Sequence, residues 1–376
     1  LTIIVITAYL NYFGIETTKF NQIIKDKIAE TNDRIDLELD KVKIVLNLDT
    51  LSIGLKTSDS KINFENKKII LDKIQTNFSI GSFISREFAI NNLEIKTKEN
   101  NLKDVIKFAR IYQNTPQLFI LNKLTTKGKI IADIKINFDI NGKINNDYIV
   151  KGKIKNANLK LLNKKKVNKI NFDFELKNKN FLLKNNSLEY ENIKFYSEKI
   201  KIKDERKYFF IEGNLKNSEN PINFDLLSSY LNLKNIGFSK IEIFSNNNFS
   251  FKLDKKFKFS ELNLDSNIDL KSLNYENRKL ALKNYFPDFK DSVIFKNHTI
   301  KLNFNKNNLS ISGNGKYFFD TEEDKISYKI KLINSNYEFD SEIQFNKNPL
   351  VIKILNYNKN ENKNSSLKVK GVFKEN

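Results

Sequence analysis

From Ile35 onward the hydrophobic positions recur with a period of two. Ile35, Leu37 and Leu39 alternate with Asp36, Glu38 and Asp40, and Val42, Ile44, Leu46 and Leu48 follow in the same rhythm. Further on, "KIIADIKINFDINGKI" alternates through Ile130, Ile134, Ile136, Phe138 and Ile140, and Asn141–Gly142 marks a hairpin turn. Alternation of this kind predicts half-buried β-strands, here joined by Asn, Asp, Ser and Lys turns. The period lengthens to that of a helix in three places. Phe20, Ile23, Ile24, Lys27 and Ile28 form one stripe; Leu102, Val105, Ile106 and Ala109 form another, which Pro116 ends; and Pro221–Leu233 begins with a proline suited to a first helical turn. The expected fold is mainly β with a few short helices.

Glycine punctuates the apolar rows. Gly152 shares a row with Tyr148, Val150 and Ile154; Gly213 with Phe209, Ile211 and Leu215; Gly313 with Leu309 and Ile311, followed by Gly315; Gly371 with Leu367, Val369 and Phe373. The chain has only 11 glycines. A glycine in such a row permits a bend, a bulge or the close approach of another group, or simply ends the strand. Bends at Gly152, Gly213, Gly313 and Gly371 are the expectation taken forward.

A strand with one apolar face must cover that face. A second sheet can do so, a barrel closes on itself, and a helical layer needs more helices than this chain shows. One or several sandwiches stay open; the other solution is an elongated, curled antiparallel sheet forming a hydrophobic groove, its apolar face covered by something the chain does not encode, such as lipid tails.

Composition narrows the chemistry. Without cysteine there is no disulfide, thiolate nucleophile or Cys-based metal site. Without methionine the chain is expected to be a fragment or a processed form. Leu1–Phe13 is apolar and uncharged, ends in Tyr9, Tyr12 and Phe13, and falls short of the about 20 residues that cross a bilayer. It reads as the end of a truncated transmembrane anchor, or else as a buried strand or core helix. The net charge of +20 favours anionic partners, although a lysine- and asparagine-rich composition is also what AT-rich codons produce. Arginine is scarce and no nucleic-acid-binding signature is present, so nucleic acid is not expected as a partner. The single histidine, His298, reads as a solvent-facing strand residue. No nucleophile elbow, phosphate loop or calcium loop is present, so neither an enzyme nor a metal or cofactor site is expected.

The order of these segments resembles the AsmA-like proteins, the envelope family that includes the TamB-like and YhdP-like proteins. The likeness rests on the apolar start, the helix "FNQIIKDKIAETN", the strands "IDLELDKVKIVLNLDTLSIGLKT" and the strand–Gly–strand phrase "DYIVKGKIKNANL". It implies a single-pass inner-membrane protein of a Gram-negative bacterium with its bulk in the periplasm. It also implies a β-groove that carries phospholipid between the inner and outer membranes, with an outer-membrane protein as a further partner and no catalytic residues. The corresponding division is an anchor at 1–13, an amphipathic helix at 14–34, a β-groove segment at 35–100, a helical insertion at 101–126 and groove repeats at 127–376 with a short helix near 221–233. The groove lining is expected to be Ile130, Ile134, Ile136, Phe138, Ile140, Tyr148, Val150, Ile154, Leu159 and Leu161. The rival is a non-enzymatic structural β-protein of the envelope, an adhesin or assembly scaffold with a dry sandwich core.

Overall fold

The computed structural model describes residues 9–19, 21–22, 24–26, 33–48, 52–79, 81, 90–139, 143–145, 147–161, 165–231, 237–276, 284, 289, 292–306, 308–319, 322–333 and 336–374. It is mainly β and divides into two units, Leu1–Leu188 and Glu189–Asn376.

The first unit holds strands β1 (Ile15–Thr17), β2 (Asp36–Glu38), β3 (Val42–Asn47), β4 (Ser52–Ser58), β5 (Lys61–Phe64), β6 (Lys67–Ser79), β7 (Ile90–Thr97) and β8 (Asn100–Asn101). Helices α1 (Leu102–Tyr112) and α2 (Pro116–Leu124) follow, then β9 (Thr125–Asn137), β10 (Ile149–Lys160), β11 (Lys166–Lys177) and β12 (Asn180–Tyr190), which runs past the unit's end. The antiparallel ladder runs β1, β3, β4, β6, β7, β9, β10, β11. The second unit contains β13 (Ile193–Glu205), β14 (Tyr208–Asn223), helix α3 (Phe224–Ser228), β15 (Phe238–Asp254), β16 (Phe259–Glu276), β17 (Ser292–Asn305), β18 (Asn308–Phe318), β19 (Glu323–Ile333) and β20 (Asn336–Gln344). A small hairpin, β21 (Leu350–Ile352) with β22 (Tyr357–Lys359), precedes β23 (Ser366–Lys374). Here the ladder runs β13 through β20 and then β23, which pairs only with β20 among the described residues, so the ladder is open.

The helices begin where side chains can accept their free N–H groups. The Asn101 side chain accepts from Lys103 N (2.9 Å) and Asp104 N (3.4 Å) at the start of α1, and Asp104 in the first turn and Arg110 in the last suit the helix dipole. Thr115 caps α2, with Pro116 in its first turn. Pro221 departs from expectation: it lies in β14, and α3 begins only after Asn223, whose side chain accepts from Leu226 N (3.0 Å). Residues 15–17, expected within a helix, form a strand that pairs with β3. The expected anchor lies largely outside the described residues. Among the described residues, no helix is long and apolar enough to cross a membrane.

His298 corrects another expectation. It is buried, 1% exposed, on the apolar face of β17. Its Nε2 lies 2.9 Å from the Lys316 carbonyl and its Nδ1 3.3 Å from the Tyr328 hydroxyl, whose own pKa burial pushes up to about 12. The cause is a β-bulge. Register is lost between Lys296 and Thr299, where Asn297 adopts φ 52°, and the extra residue turns His298 inward.

Burial holds the His298 pKa below the ordinary 6.5, only partly offset by the Lys316 carbonyl. The unfolded chain therefore takes up a proton that the folded ring resists. Stability should be full above about pH 6.5 and fall as the pH drops below it, by at most about 1.4 kcal/mol per pH unit. No other histidine shares that window. Thermal unfolding between pH 7.5 and 5.5 should show the slope, and His298→Gln should flatten it; an unchanged slope in the variant would refute the assignment.

Candidate functional site

In the first unit the register lines up apolar side chains from strand to strand. One row is Val42–Thr57–Ile74–Ile95–Ile134–Val150–Leu176, crossing seven strands. A second is Ile44–Leu55–Thr76–Leu93–Ile136. The opposite face carries charge. Lys135 meets Glu94 at 2.8 Å, Lys153 meets Asp173 at 3.1 Å and Lys96 meets Asp133 at 3.4 Å. The Lys135 ammonium holds the Glu94 carboxyl below the usual carboxylate range.

Helix α1 covers part of the apolar face. Leu102 and Ile106 pack with Ile154 and Ala157, beside Ile130, Ile170, Phe172 and Phe174. Val105, Phe108 and Ile111 pack with Phe64, Ile69 and Leu71, beside Ile74 and Ile95. Outside these clusters, Ile44, Leu55, Leu93, Ile134, Ile136, Val150 and Leu176 remain half-buried on a face that no helix of these clusters overlies.

The ten residues expected to line a groove therefore fall into groups. Ile134, Ile136 and Val150 lie on the open stretch, whereas Ile130 and Ile154 are part of the core under α1. Phe138 bridges to Ile144, and Tyr148 is half-buried just ahead of β10. Leu159 pairs with Val167 near the other end of β10, and the Leu161 N–H donates to the Lys165 carbonyl in the following turn. Ile140 lies outside the described residues.

The second unit repeats the design on longer strands. One row is Gly213–Phe249–Leu264–Phe304–Leu309–Leu332–Tyr337. The next is Leu215–Asn247–Ser266–Leu302–Ile311–Ile330–Phe339–Gly371, crossing eight strands. At about 4.8 Å between strands, that row extends about 34 Å. Helix α3 covers a different part of the face, packing Phe224 and Leu227 against Ile241, Leu270 and Ile300. Around Phe289, Val293, Tyr317 and Phe345, Leu350 closes a further cluster. Leu302, Ile311, Ile330, Phe339, Leu309 and Leu332 belong to neither cluster. Sequence reasoning placed Leu309 and Ile311 in a row with Gly313 but named none of the six as lining, although "IKLNFN", "LSISGNG" and "ISYKIKLI" carry the same alternation as β9 and β10.

Two features qualify this face. A polar seam crosses it at Asn217, Ser245, Asn247 and Ser266. Asn217 fills a register shift in β14: it accepts from Ser245 N (2.9 Å) and donates to the Asn220 and Ile243 carbonyls (2.9 Å each). Two open hollows indent the second unit. One is lined by Asn214, Asn248, Asp265 and Asn303 together with Gly213, Phe249, Leu264 and Phe304 of the first row, the other by Asn246, Asp269 and Lys271 together with Phe244 and Ile268. Both linings mix polar and apolar groups.

The glycines are seats for rings. A Cβ at Gly152 would stand 2.6 Å from Phe174, one at Gly313 2.6 Å from Tyr328, and one at Gly371 2.5 Å from Phe339. In each case the ring belongs to the residue directly across the ladder. Gly315 seats the His298 ring, 2.2 Å from the position of its missing Cβ. At Gly213 the obstruction is instead the Lys199 carbonyl (2.8 Å), beside the register shift between Tyr196 and Ile200. Gly152, Gly213, Gly313 and Gly371 lie within strands, in the apolar rows. What most of them accommodate is a neighbour's ring, because glycine alone leaves room for an aromatic side chain to lie across the strand.

Among the described residues, no three His, Asp or Glu side chains gather in a way that could hold a metal ion. No family model, curated protein or solved structure matches the chain.

Proposed function

We propose that the open apolar faces are beds for acyl chains, and that the protein is a membrane-anchored periplasmic carrier of phospholipids between the inner and outer membranes. The observation that carries this reading is the set of half-buried side chains on the open rows: Ile134, Ile136 and Val150 in the first unit, and Leu302, Ile311, Ile330 and Phe339 in the second. Apolar area left open to water over this many strands is costly, and each lipid methylene laid on it recovers about 0.8 kcal/mol. A row of about 34 Å is longer than one leaflet's acyl layer, about 15 Å from half the thickness of a bilayer core. The resemblance to AsmA-like proteins points the same way. Head groups would stay at the rim and meet lysines, which act as point charges toward phosphate. Carriage along such a face needs no bond chemistry.

A photo-crosslinker at Ile136, compared with one at Lys135 on the charged face, tests the reading in cells. Phospholipid should be captured at 136 and not at 135. Equal capture, or capture at 136 of a protein sheet instead of lipid, would return the fold to a structural envelope β-protein with a dry interior.

A further inference from the structure

A second exposed apolar feature lies apart from these rows, at the tip of the hairpin formed by β21 and β22. Between the two strands, Lys353–Leu355 make a single 3₁₀ turn, closed by Asn356 in the left-handed conformation (φ 47°), whose N–H donates to the Lys353 carbonyl at 3.1 Å. Ile354 is 92% exposed, Leu355 70% and Tyr357 42%. Two large aliphatic side chains on a convex turn cannot pack against each other to escape water.

The base of the hairpin is fixed. Leu350 is buried with Phe345 and Tyr317. The buried Asp324 carboxylate accepts from Asn346 N (2.9 Å), Asn348 N (3.1 Å) and Asn348 Nδ2 (2.8 Å). The buried Lys359 ammonium donates to the Asn348 carbonyl at 2.6 Å and to the Asn360 carbonyl at 3.1 Å. The hairpin thus presents its apolar tip from a rigid mount, at little further cost in ordering. From Ile352 to Asn358 the segment carries one lysine and no acidic residue.

We infer that this hairpin is a membrane-docking tip. Ile354 and Leu355 enter the acyl region, Tyr357 sits at the interface where an amphipathic ring is favoured, and Lys353 meets anionic head groups. A bilayer suits the feature because it needs no shaped pocket to receive two aliphatic residues on a convex turn, and the charge of the segment matches an anionic surface. The inference does not rest on the acyl-bed reading: a chain that held no lipid on its apolar rows would dock in the same way.

The chain contains no tryptophan, so one introduced residue reports alone. Leu355→Trp in the full chain should shift its emission to the blue with vesicles of phosphatidylglycerol and phosphatidylcholine, and brominated acyl chains should quench it. Val372→Trp, on an exposed position of β23, should do neither. Ile354→Asp with Leu355→Asp should lower vesicle partitioning at least tenfold with an unchanged circular dichroism spectrum, and Lys353→Gln about fivefold on anionic vesicles. Equal quenching at residues 355 and 372, or none at 355, overturns the inference. So does a blue shift that appears with a lipid-free protein fraction and not with vesicles, which would make the tip a protein-docking wedge.

Discussion

Gly315→Ala is expected to destabilise the second unit by at least about 1–3 kcal/mol, the usual range for overpacking a tight site. The added methyl would stand 2.2 Å from His298 Cδ2 and 2.3 Å from Cγ. His298 has nowhere to go: it is buried, hydrogen-bonded to the Lys316 carbonyl and packed against Phe295 and Tyr328. Denaturant unfolding of the single variant, of His298→Ala and of the double variant forms a cycle. The double variant should recover much of the loss, because removing the ring makes room for the methyl. Additive losses would show that Gly315 is needed for its backbone alone. The same logic predicts that Gly152→Ala meets both the Phe174 ring and the Ile131 carbonyl, so that shortening Phe174 would relieve only part of the strain.

Leu302→Asp with Ile311→Asp should reduce retention of acyl chains by the second unit at least a hundredfold. The two residues are direct partners across β17 and β18, in the middle of the longest row. A carboxylate placed against hydrocarbon costs about 2.5–3.5 kcal/mol even where it can partly reach water, and about 1.4 kcal/mol is already a factor of ten. Because the face is open, the free protein can keep both carboxylates hydrated, and its circular dichroism should be unchanged. The matched control is Lys301→Asp with Ser312→Asp, a directly opposed pair on the other face of the same two strands. Native mass spectrometry after delipidation and reloading with phospholipid gives the readout. Equal loading of the two variants would remove the acyl-bed reading and leave the hairpin tip untouched.

Most of the strand content was legible from alternation alone, since a half-buried strand leaves no other trace so regular. Helix α1 was legible from its apolar stripe and from Pro116 beyond it, whereas the Asn101 cap and the start of α2 at Pro116 itself emerged only in the structure. The misreadings have local causes. Pro221 resembled a helix start, but the signal that mattered was Asn223, whose side chain caps the N–H of Leu226. His298 was assigned outward as a lone histidine, on residue type and without regard to phase. Counting by two from Val293 and Phe295 reaches Asn297 and Thr299. Counting back from Phe304 through Leu302 and Ile300 reaches His298 itself. The bulge at Asn297 resolves the conflict, and a break in phase inside one apolar run is its visible sign. The helix cover could not be read in the same way. Alternation shows that a face is apolar, but which stretch of it a helix occupies depends on the path of the chain after Tyr112 and Asn223.

Three of the glycines and their rings have a consequence for descent. Gly152 with Phe174, Gly313 with Tyr328 and Gly371 with Phe339 each divide one volume between two neighbouring strands. Neither member can change freely while the other stays. Among relatives of this chain these positions should vary in concert, a side chain arising at the glycine wherever the ring has shrunk. Such paired changes would record which strands lie side by side.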